Sequence, residues 1–259
     1  MSRITQRGAT GPLAIQSNGT FQSSTDTSLA TLVGSRWDLS DGREVVLVSA
    51  GSSTTIAPGL LYQDAAIVPN HQNLAVTAFQ AYSNNGNIPA KVTVTLGATA
   101  VTANQYQGGF VIVNDNNGEG QTLRIASHPA ADASASLVIT LEDAPNTAIT
   151  TASEVCLISP HGKNVIITAT TTATSGSYAG IGLYPIAASA YGFLVSKGIV
   201  AALSDASEPV IGTAIGASLA TAGAVCDVAY AGDVLTRSVI GNALQTGVST
   251  EYRAVVVNL

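Results

Sequence analysis

Short runs of β-branched and apolar residues, separated by turn residues, constrain the fold of this chain more than any other feature. Val92-Thr93-Val94-Thr95-Leu96 alternates apolar and polar side chains, a pattern that places one strand face on a core and the other in solvent. The segments 84–87 and 114–118 supply Asn and Gly residues that tolerate positive φ, as tight hairpins require. Further strands of this kind are predicted at 45–48, 60–68, 74–82, 110–113, 123–126, 137–141, 155–158 and 165–169.

A six-residue phrase occurs twice near the C-terminus. Residues 210–215, Val-Ile-Gly-Thr-Ala-Ile, return 29 positions later as 239–244, Val-Ile-Gly-Asn-Ala-Leu. An internal repeat indicates a duplicated structural unit, and Gly within a strand marks a bend or a close backbone approach. We therefore predict two equivalent bent strands. A hairpin that turns at Lys197-Gly198 precedes them, and a final strand at 255–259 follows.

These patterns predict an all-β fold in three parts. Residues 1–42 are polar and lack any period, which predicts an extended arm or a segment ordered by a partner. Trp37 either anchors this arm or is an ordinary core aromatic. Residues 43–185 are predicted to form the main β-sandwich or barrel, and residues 186–259 a smaller C-terminal β domain. A cluster of glycines and a proline suggests the boundary between them: Gly176, Gly180, Gly182 and Pro185.

Composition indicates what kind of partner the protein has. Apolar residues make up 46% of the 259 residues, enough for a sizeable core, whereas charged residues make up only 10%, against about 25% in an ordinary domain. We interpret this as a protein that packs against other protein; a secreted or simply low-charge β domain is the alternative. The net charge is −6 and the ten basic residues are scattered, which argues against a nucleic-acid partner.

The cysteines and the N-terminus indicate the compartment. Cys156 and Cys226 each lie in an apolar run, which favours free buried thiols over the one possible disulfide. No apolar stretch suited to a signal peptide follows Arg3 and Arg7, and no run approaches the length of a membrane span. We therefore expect synthesis in a cytoplasm and no membrane association.

The three histidines are the first candidates for chemistry. His71, His128 and His161 stand beside Pro, Asn or Gly, which predicts solvent-exposed loop residues rather than a metal or catalytic site. His128 and Asp132 have the i, i+4 spacing of paired ligands, but that spacing aligns side chains only on a helix, and the proline after His128 favours a loop.

Two further motifs fail on their spacing. Asp115, Asn117 and Glu119 fall at the first, third and fifth positions of a calcium loop, but the twelfth position is Ala126 instead of the required Glu. Ser218 lies in Gly-Ala-Ser-Leu-Ala, which lacks the last Gly of a nucleophile elbow. Hairpin turns and strands explain these residues better.

The glycines and carboxylates do not form a recognisable phosphate-binding or catalytic motif either. Gly180-Ile181-Gly182 is not continued into a phosphate-binding fingerprint, and the adjacent Glu142-Asp143 is expected to blunt a sheet edge. We predict no enzymatic activity, cofactor or metal; only a glycosidase-like pair of carboxylates distant in sequence stays open. The remaining carboxylates considered show no catalytic spacing: Asp41, Glu44, Asp64, Asp205, Glu208 and Glu251.

Four phrases, at 41–44, 57–63, 94–109 and 118–125, resemble structural proteins that tailed bacteriophages encode near their capsid genes. The part from Tyr191 through both Val-Ile-Gly copies to Arg253 is similar to the same group and to small phage head-decoration proteins. The resemblance covers about residues 40–259. It implies a virion protein without catalytic residues, a cement or decoration protein seated on the major capsid protein, often as a trimer.

The leading hypothesis is therefore a non-enzymatic virion protein that binds the outer surface of a phage capsid and reinforces it. Its expected partners are the major capsid protein and further copies of itself, with a trimer favoured because icosahedral shells offer threefold axes. The first alternative is a phage tail, fibre or host-glycan-binding β module, although thirteen aromatic residues leave little material for a sugar site. A cell-wall hydrolase and the major shell protein itself are weaker alternatives.

Overall fold

The computed structural model describes the backbone of residues 4–5, 16–17, 20–170, 175–205, 210–228, 230–231, 234–235 and 238–259. Strand accounts for 43% of the chain and helix for 4%, so the predicted all-β class is confirmed. The strands of the described residues are β1 (Ile4–Thr5), β2 (Gln16–Ser17), β3 (Thr20–Phe21), β4 (Arg36–Leu39), β5 (Glu44–Ser49), β6 (Leu61–Gln63), β7 (Leu74–Gln80), β8 (Lys91–Thr95), β9 (Phe110–Asp115), β10 (Thr122–Ser127), β11 (Ser136–Leu141), β12 (Glu154–Ile158), β13 (Ile166–Ile167), β14 (Tyr178–Gly182), β15 (Tyr191–Leu203), β16 (Ala214–Ala217), β17 (Val225–Asp227), β18 (Tyr230–Ala231), β19 (Val234–Leu235), β20 (Gly241–Ala243) and β21 (Tyr252–Asn258).

The chain divides into two compact units. Unit 1 comprises residues 1–65 and 161–259, and unit 2 comprises residues 66–160. Unit 2 is thus an insertion between β6 and β13. The division predicted from the sequence, with boundaries after residues 42 and 185, differs from this one. Local composition does not reveal pairing between distant strands, and here β15 pairs with both β5 and β21 in one sheet.

Unit 1 is built on one large sheet. Its main path runs β1-β4-β5-β15-β21-β20-β16-β17, and β14, β6 and β13 branch from β15. β15 connects the N-terminal strands of this sheet to the C-terminal ones. Its first half pairs with β5, and its second half, from Lys197 to Leu203, pairs with β21. The core of this unit gathers Trp37, Tyr62 and Phe193 with the apolar residues of β5, β14, β15 and β21.

Unit 2 is a closed barrel in the strand order β10-β11-β8-β7-β12-β9. The alternation predicted for β8 is confirmed: Val92 and Val94 are fully buried, whereas Thr93 and Thr95 are not. β11 repeats the pattern with Leu137 and Ile139. Every second residue therefore builds the barrel core, and closure leaves the barrel without a free sheet edge.

Seven of the predicted strand segments coincide with β5 and with the six barrel strands. The other two are shorter than predicted. The segment 60–68 contains only β6, and 165–169 contains only β13. β6 ends at Gln63, and the N–H of the next residue, Asp64, donates to the Ser177 carbonyl. The Asp64 carboxylate contacts the His161 side chain and the Gly162 N–H.

The described part of residues 1–42 is not an extended arm. Thr27–Leu32 forms a 3₁₀ helix, capped by the Asp26 side chain, which accepts a hydrogen bond from the Ser28 N–H. Trp37 in β4 is 4% exposed and packs edge to face on Phe193, with ring centroids 5.2 Å apart. Trp37 is therefore a core aromatic. Tertiary packing orders a segment that has no period of its own; residues 1–3, 6–15 and 18–19 lie outside the described residues.

The two Val-Ile-Gly copies are not equivalent strands, so that prediction is wrong. In the first copy Ile211 is 62% exposed and Gly212 turns the chain at φ +83°. In the second copy Ile240 is fully buried and Gly241 begins β20. The copies are neighbours instead, because β16 pairs with β20 at Ile215 and Gly241. The predicted final strand is confirmed by β21.

Lys197-Gly198 does not turn a hairpin, and this prediction is also wrong. β15 continues through both residues, and Gly198 takes a φ of +105°. The pairing with β5 shifts register between Val195 and Lys197. That irregularity precedes the glycine, and bulges bend a strand without ending it. Gly198 itself pairs in register with Val257 of β21.

Gly180 and Gly182 lie inside β14 and not at a domain boundary. A β-carbon on Gly180 would lie 2.7 Å from the Leu194 β-carbon, and the φ of Gly180 is +150°. A β-carbon on Gly182 would overlap the carbonyl oxygen of Ala57. The glycines are thus required for close backbone packing within the sheet.

Candidate functional site

Two of the three histidines are buried, contrary to the expectation of exposed loop residues. In unit 2, His71 is 0% and His128 is 4% exposed. The His71 Nδ1 lies 2.6 Å from the Tyr106 hydroxyl, and its Nε2 lies 3.0 Å from the Thr99 carbonyl oxygen. Because a carbonyl oxygen only accepts, Nε2 carries the hydrogen and the hydroxyl donates to Nδ1. These loops therefore bury imidazoles by supplying partners for both nitrogens.

The His128 ring is held in the same way. The Tyr106 N–H donates to His128 Nε2 at 3.0 Å, so Nδ1 carries the hydrogen and donates to the Pro129 carbonyl oxygen at 2.8 Å. Burial raises the pKa of Tyr106 to about 12, so its hydroxyl stays a donor well above neutral pH. Asp132 is exposed, and the ring nitrogens of His128 are already engaged. This cluster is structural, since it leaves no ring nitrogen for a ligand.

His161 in unit 1 forms a carboxylate–imidazole pair. Its Nδ1 lies 2.8 Å from Asp64 Oδ2, and Asp64 Oδ1 accepts a hydrogen bond from the Gly162 N–H at 2.7 Å. The pair resembles the orienting half of a catalytic triad. No described hydroxyl or thiol hydrogen-bonds the His161 Nε2, so a nucleophile–base pair is not formed. Instead, the pair joins the two chain segments from which unit 2 leaves and returns.

The tested calcium loop is a turn, with Asn116 at φ +61° and Gly118 at φ +83°. Within the described residues, no three or more His, Cys, Asp or Glu side chains are grouped so as to hold a metal ion. Ser218 is fully buried; its hydroxyl donates to Asp205 and accepts from two backbone N–H groups. Both cysteines are free thiols; Cys226 is buried as predicted, whereas Cys156 is only half-buried. Glu208 lies outside the described residues.

Glu142 and Asp143 do not blunt a sheet edge, because their barrel is closed. Glu142 Oε2 lies 3.3 Å from Arg124 Nε, and Asp143 Oδ2 accepts a hydrogen bond from the Arg124 N–H at 3.0 Å. The pair thus binds the end of β11 to β10.

An open groove of about 480 Å³ in unit 1 is the remaining candidate site. Ile199, Val200 and Ala201 of β15 line it, and Tyr252 of β21 stands beside them. The Tyr252 ring lies against Gly59, whose φ is +73°, and a β-carbon at Gly59 would overlap the ring. The other lining residues are Arg43, Pro58, Gly182, Leu183, Gln245, Arg253 and Ala254.

The charges of the groove compensate one another. Arg43 donates to Asp41 Oδ2 from Nε at 2.9 Å and from Nη2 at 2.5 Å. Arg253 is paired with Glu251, although its Nε is buried without a hydrogen-bond partner among the described residues. The groove is therefore close to neutral in a chain of net charge −6.

Exposed apolar side chains are concentrated in the C-terminal part of unit 1. In the described part of unit 1 eight large apolar side chains are exposed, and seven of them lie between positions 199 and 252. Backbone hydrogen bonds connect their segments, from the Leu244 N–H to the Ala254 carbonyl and from the Gly212 N–H to the Ala243 carbonyl. We call the seven the exposed apolar surface: Ile199, Val210, Ile211, Val239, Leu244, Val248 and Tyr252.

Beside the groove, alternate residues of β15 direct their backbone N–H and C=O groups away from β21. Ala254 of β21 uses its carbonyl for the Leu244 N–H and its N–H for Gln245 Oε1, each at 3.0 Å. Its partner Ala201 therefore lies in a non-hydrogen-bonded pair, and its own N–H and C=O point to the other side of β15. Alternation gives Ile199 the same orientation.

No strand of the described residues covers that side. β5 begins at Glu44, opposite Lys197, and stops short of it. Further along, the Leu203 N–H donates to the Gly59 carbonyl at 2.9 Å. Between these points, the N–H and C=O groups of Ile199 and Ala201 have no hydrogen-bond partner in the described part of the chain. We call these four groups the open edge of β15.

The sequence did not indicate this site, since Pro58-Gly59 reads only as a turn. The signal that could have found it is the exposed face of β15 and β21, which carries Ile and Tyr where a solvated strand carries Thr or Lys. Comparisons with protein-family models, with curated proteins and with solved structures gave no match. Across the described residues, no helix combines the length and the apolar character needed to cross a membrane.

Proposed function

We propose that this chain is a non-enzymatic virion structural protein that binds the outer surface of a phage capsid and reinforces it. The observation that supports this best is the exposed apolar surface. Exposed apolar patches on soluble proteins mark interaction sites, and two of the seven residues, Ile199 and Tyr252, line the groove. A reinforcing protein needs such a patch on a rigid body, and the sheet of unit 1 supplies the rigid body.

Charge supports a protein partner as well. An acidic chain repels other acidic surfaces except where its own charges are compensated. Here the ion pairs Asp41–Arg43 and Glu251–Arg253 lie beside the exposed apolar surface. The major capsid protein is the proposed partner, and a trimer seated on a threefold position of the shell is the proposed assembly.

Purified virions carrying this protein test the proposal. Quantitative mass spectrometry should find the protein in a fixed ratio to the major capsid protein, and particle images should show matching density on capsid symmetry positions. Absence from virions, or a handful of copies confined to the tail, would rule out a capsid-reinforcing role. The matched variant Tyr252→Ser should lower capsid occupancy, whereas Val138→Ser, exposed on unit 2, should not.

A host-glycan-binding tail module is the second candidate, and one observation favours it. Tyr252 is 51% exposed at the groove, beside the side chains of Gln245 and Arg253, and an exposed aromatic ring with planar polar neighbours suits a sugar. A glycan array distinguishes the two functions. Binding that is lost in Tyr252→Ala, together with tail location, would replace the capsid proposal with this one.

A further inference from the structure

We propose that the open edge of β15 binds an extended polypeptide segment of another protein as an added β-strand. Strand addition would be the way in which unit 1 binds its partner. It stands independently of whether that partner belongs to a capsid or a tail.

The chemistry of the open edge selects the occupant. Ile199 and Ala201 each present an N–H donor and a C=O acceptor, and they are two residues apart in an extended strand, a separation of about 7 Å. Residues i and i+2 of another extended chain carry the complementary groups at the same spacing. Unpaired strand edges recruit partner chains in this way.

The length of the open edge is limited at both ends. On one side Arg43 lies against Gly198, since a β-carbon there would be 3.0 Å from the Arg43 Cγ. On the other side Gly59 takes the Leu203 N–H, and a β-carbon on Gly59 would lie 3.4 Å from the Ala201 carbonyl oxygen. An added strand therefore pairs over a few residues only, so side-chain contacts must supply the rest of its affinity.

The groove specifies those side chains. Alternate residues of an added strand project onto the face where Ile199 and Tyr252 are exposed, next to Pro58. That face favours apolar side chains at every second position. Because Asp41–Arg43 and Glu251–Arg253 are already paired, the preferred segment is uncharged.

Amide hydrogen exchange on the isolated full chain is the first test. The amides of Ile199 and Ala201 should exchange much faster than those of Val200 and Ala202, which face β21 in the ladder. Equal protection of all four amides would mean that the edge is already covered, and the proposal would fail.

Selection from a displayed library of random peptides is the second test, with peptides of about ten residues so that an added strand fits. We expect enriched sequences with alternating apolar residues, whose affinity falls about tenfold or more in Ala201→Pro, which removes one donor. Tyr252→Ser should also weaken them, and Val138→Ser on unit 2 should have no effect. No enriched peptide, or binding unchanged in Ala201→Pro, would overturn the proposal.

Folding of the proline variant is checked separately. Ala201→Pro removes no hydrogen bond to a described residue, and proline is tolerated where a strand N–H faces away from its ladder. Its melting temperature should stay close to that of the parent chain, whereas Val200→Pro, whose N–H belongs to the β21 ladder, should be clearly less stable. Peptide binding that persists in a folded Ala201→Pro chain argues against strand addition without affecting the proposed capsid role.

Discussion

The ring of Tyr252 lies against the backbone of Gly59, with no room for a side chain at that position. Both residues line the groove, and the Gly59 carbonyl accepts the hydrogen bond from Leu203. The glycine is therefore required twice, once for its positive φ and once for the space that the ring occupies.

Replacing Gly59 with alanine separates these two requirements. Gly59→Ala should cost about 1–2 kcal/mol for the left-handed backbone and about 1–3 kcal/mol more for displacing the ring. Gly42→Ala is the matched control, because Gly42 has a φ of +84° and a β-carbon there would meet no other atom within 4 Å; it should show the backbone cost alone. Urea denaturation measures the loss of unfolding free energy in both variants. Equal losses would show that the Tyr252 ring moves aside at no cost.

His128 should stabilise unit 2 through its acceptor nitrogen. His128→Leu leaves the buried Tyr106 N–H without a partner, which should cost about 1–3 kcal/mol beyond the change in packing. His128→Gln carries an amide oxygen near the position of Nε2 and should lose less. Chemical denaturation followed by circular dichroism compares the two; a glutamine variant as unstable as the leucine variant would remove this role.

Alkaline pH should destabilise unit 2 through Tyr106. Burial raises its pKa from 10.0 to about 12, so the folded state favours the neutral phenol. This contribution is complete below pH 10 and is lost as the pH rises through about 12. The free energy of unfolding should fall across this window, and less steeply in Tyr106→Phe. Burial also raises the pKa of Tyr62 in unit 1, so identical slopes in the two chains would assign the whole fall to unit 1.

Trp37 should report the packing of unit 1. As the single tryptophan of the chain and only 4% exposed, it should emit at short wavelength and resist quenching by iodide. Trp37→Ala should cost about 3–5 kcal/mol, as expected for deleting a buried aromatic. Water-like emission, together with a small loss of stability, would instead support an N-terminal arm that is independent of the core.

Excision of unit 2 should leave unit 1 folded. Asp64 and His161 are hydrogen-bonded to each other at the two ends of the insertion, so a loop of about four residues can replace 66–160. The excised chain should keep buried Trp37 fluorescence and a cooperative melt. Asp64→Ala should then lower its melting temperature by several degrees. An unfolded product would show that unit 1 requires its insertion.

The predictable part of the fold is the part that local patterning controls. In unit 2 the alternation of buried Val92 and Val94 with threonine marks a strand with one buried face, and the Asn-Gly turns connect such strands in sequence. Unit 1 was predicted less well. Gly180 and Gly198 read as breakers, yet each lies inside a strand, because they pair with Tyr62 and Val257, which are 118 and 59 positions away along the chain.

The candidate site could not be predicted from the sequence for the same reason. Ile199, Gly59 and Tyr252 are far apart along the chain, and none belongs to a motif of catalytic or metal-binding residues. The buried histidines show the converse case. His71 and His128 are surrounded by loop residues, and only the three-dimensional placement of Tyr106 between them accounts for their burial.

The sequence by itself determined an all-β chain with alternating strands, tight Asn-Gly turns and free cysteines, since period and turn chemistry act over a few residues. Only the tertiary structure decided that residues 66–160 form an inserted barrel, that the two Val-Ile-Gly copies play different roles, and that part of β15 lacks a partner among the described residues. Each of these depends on which distant strands pair. Pairing is set by the packing of the whole sheet, and local residue patterns carry little of that information.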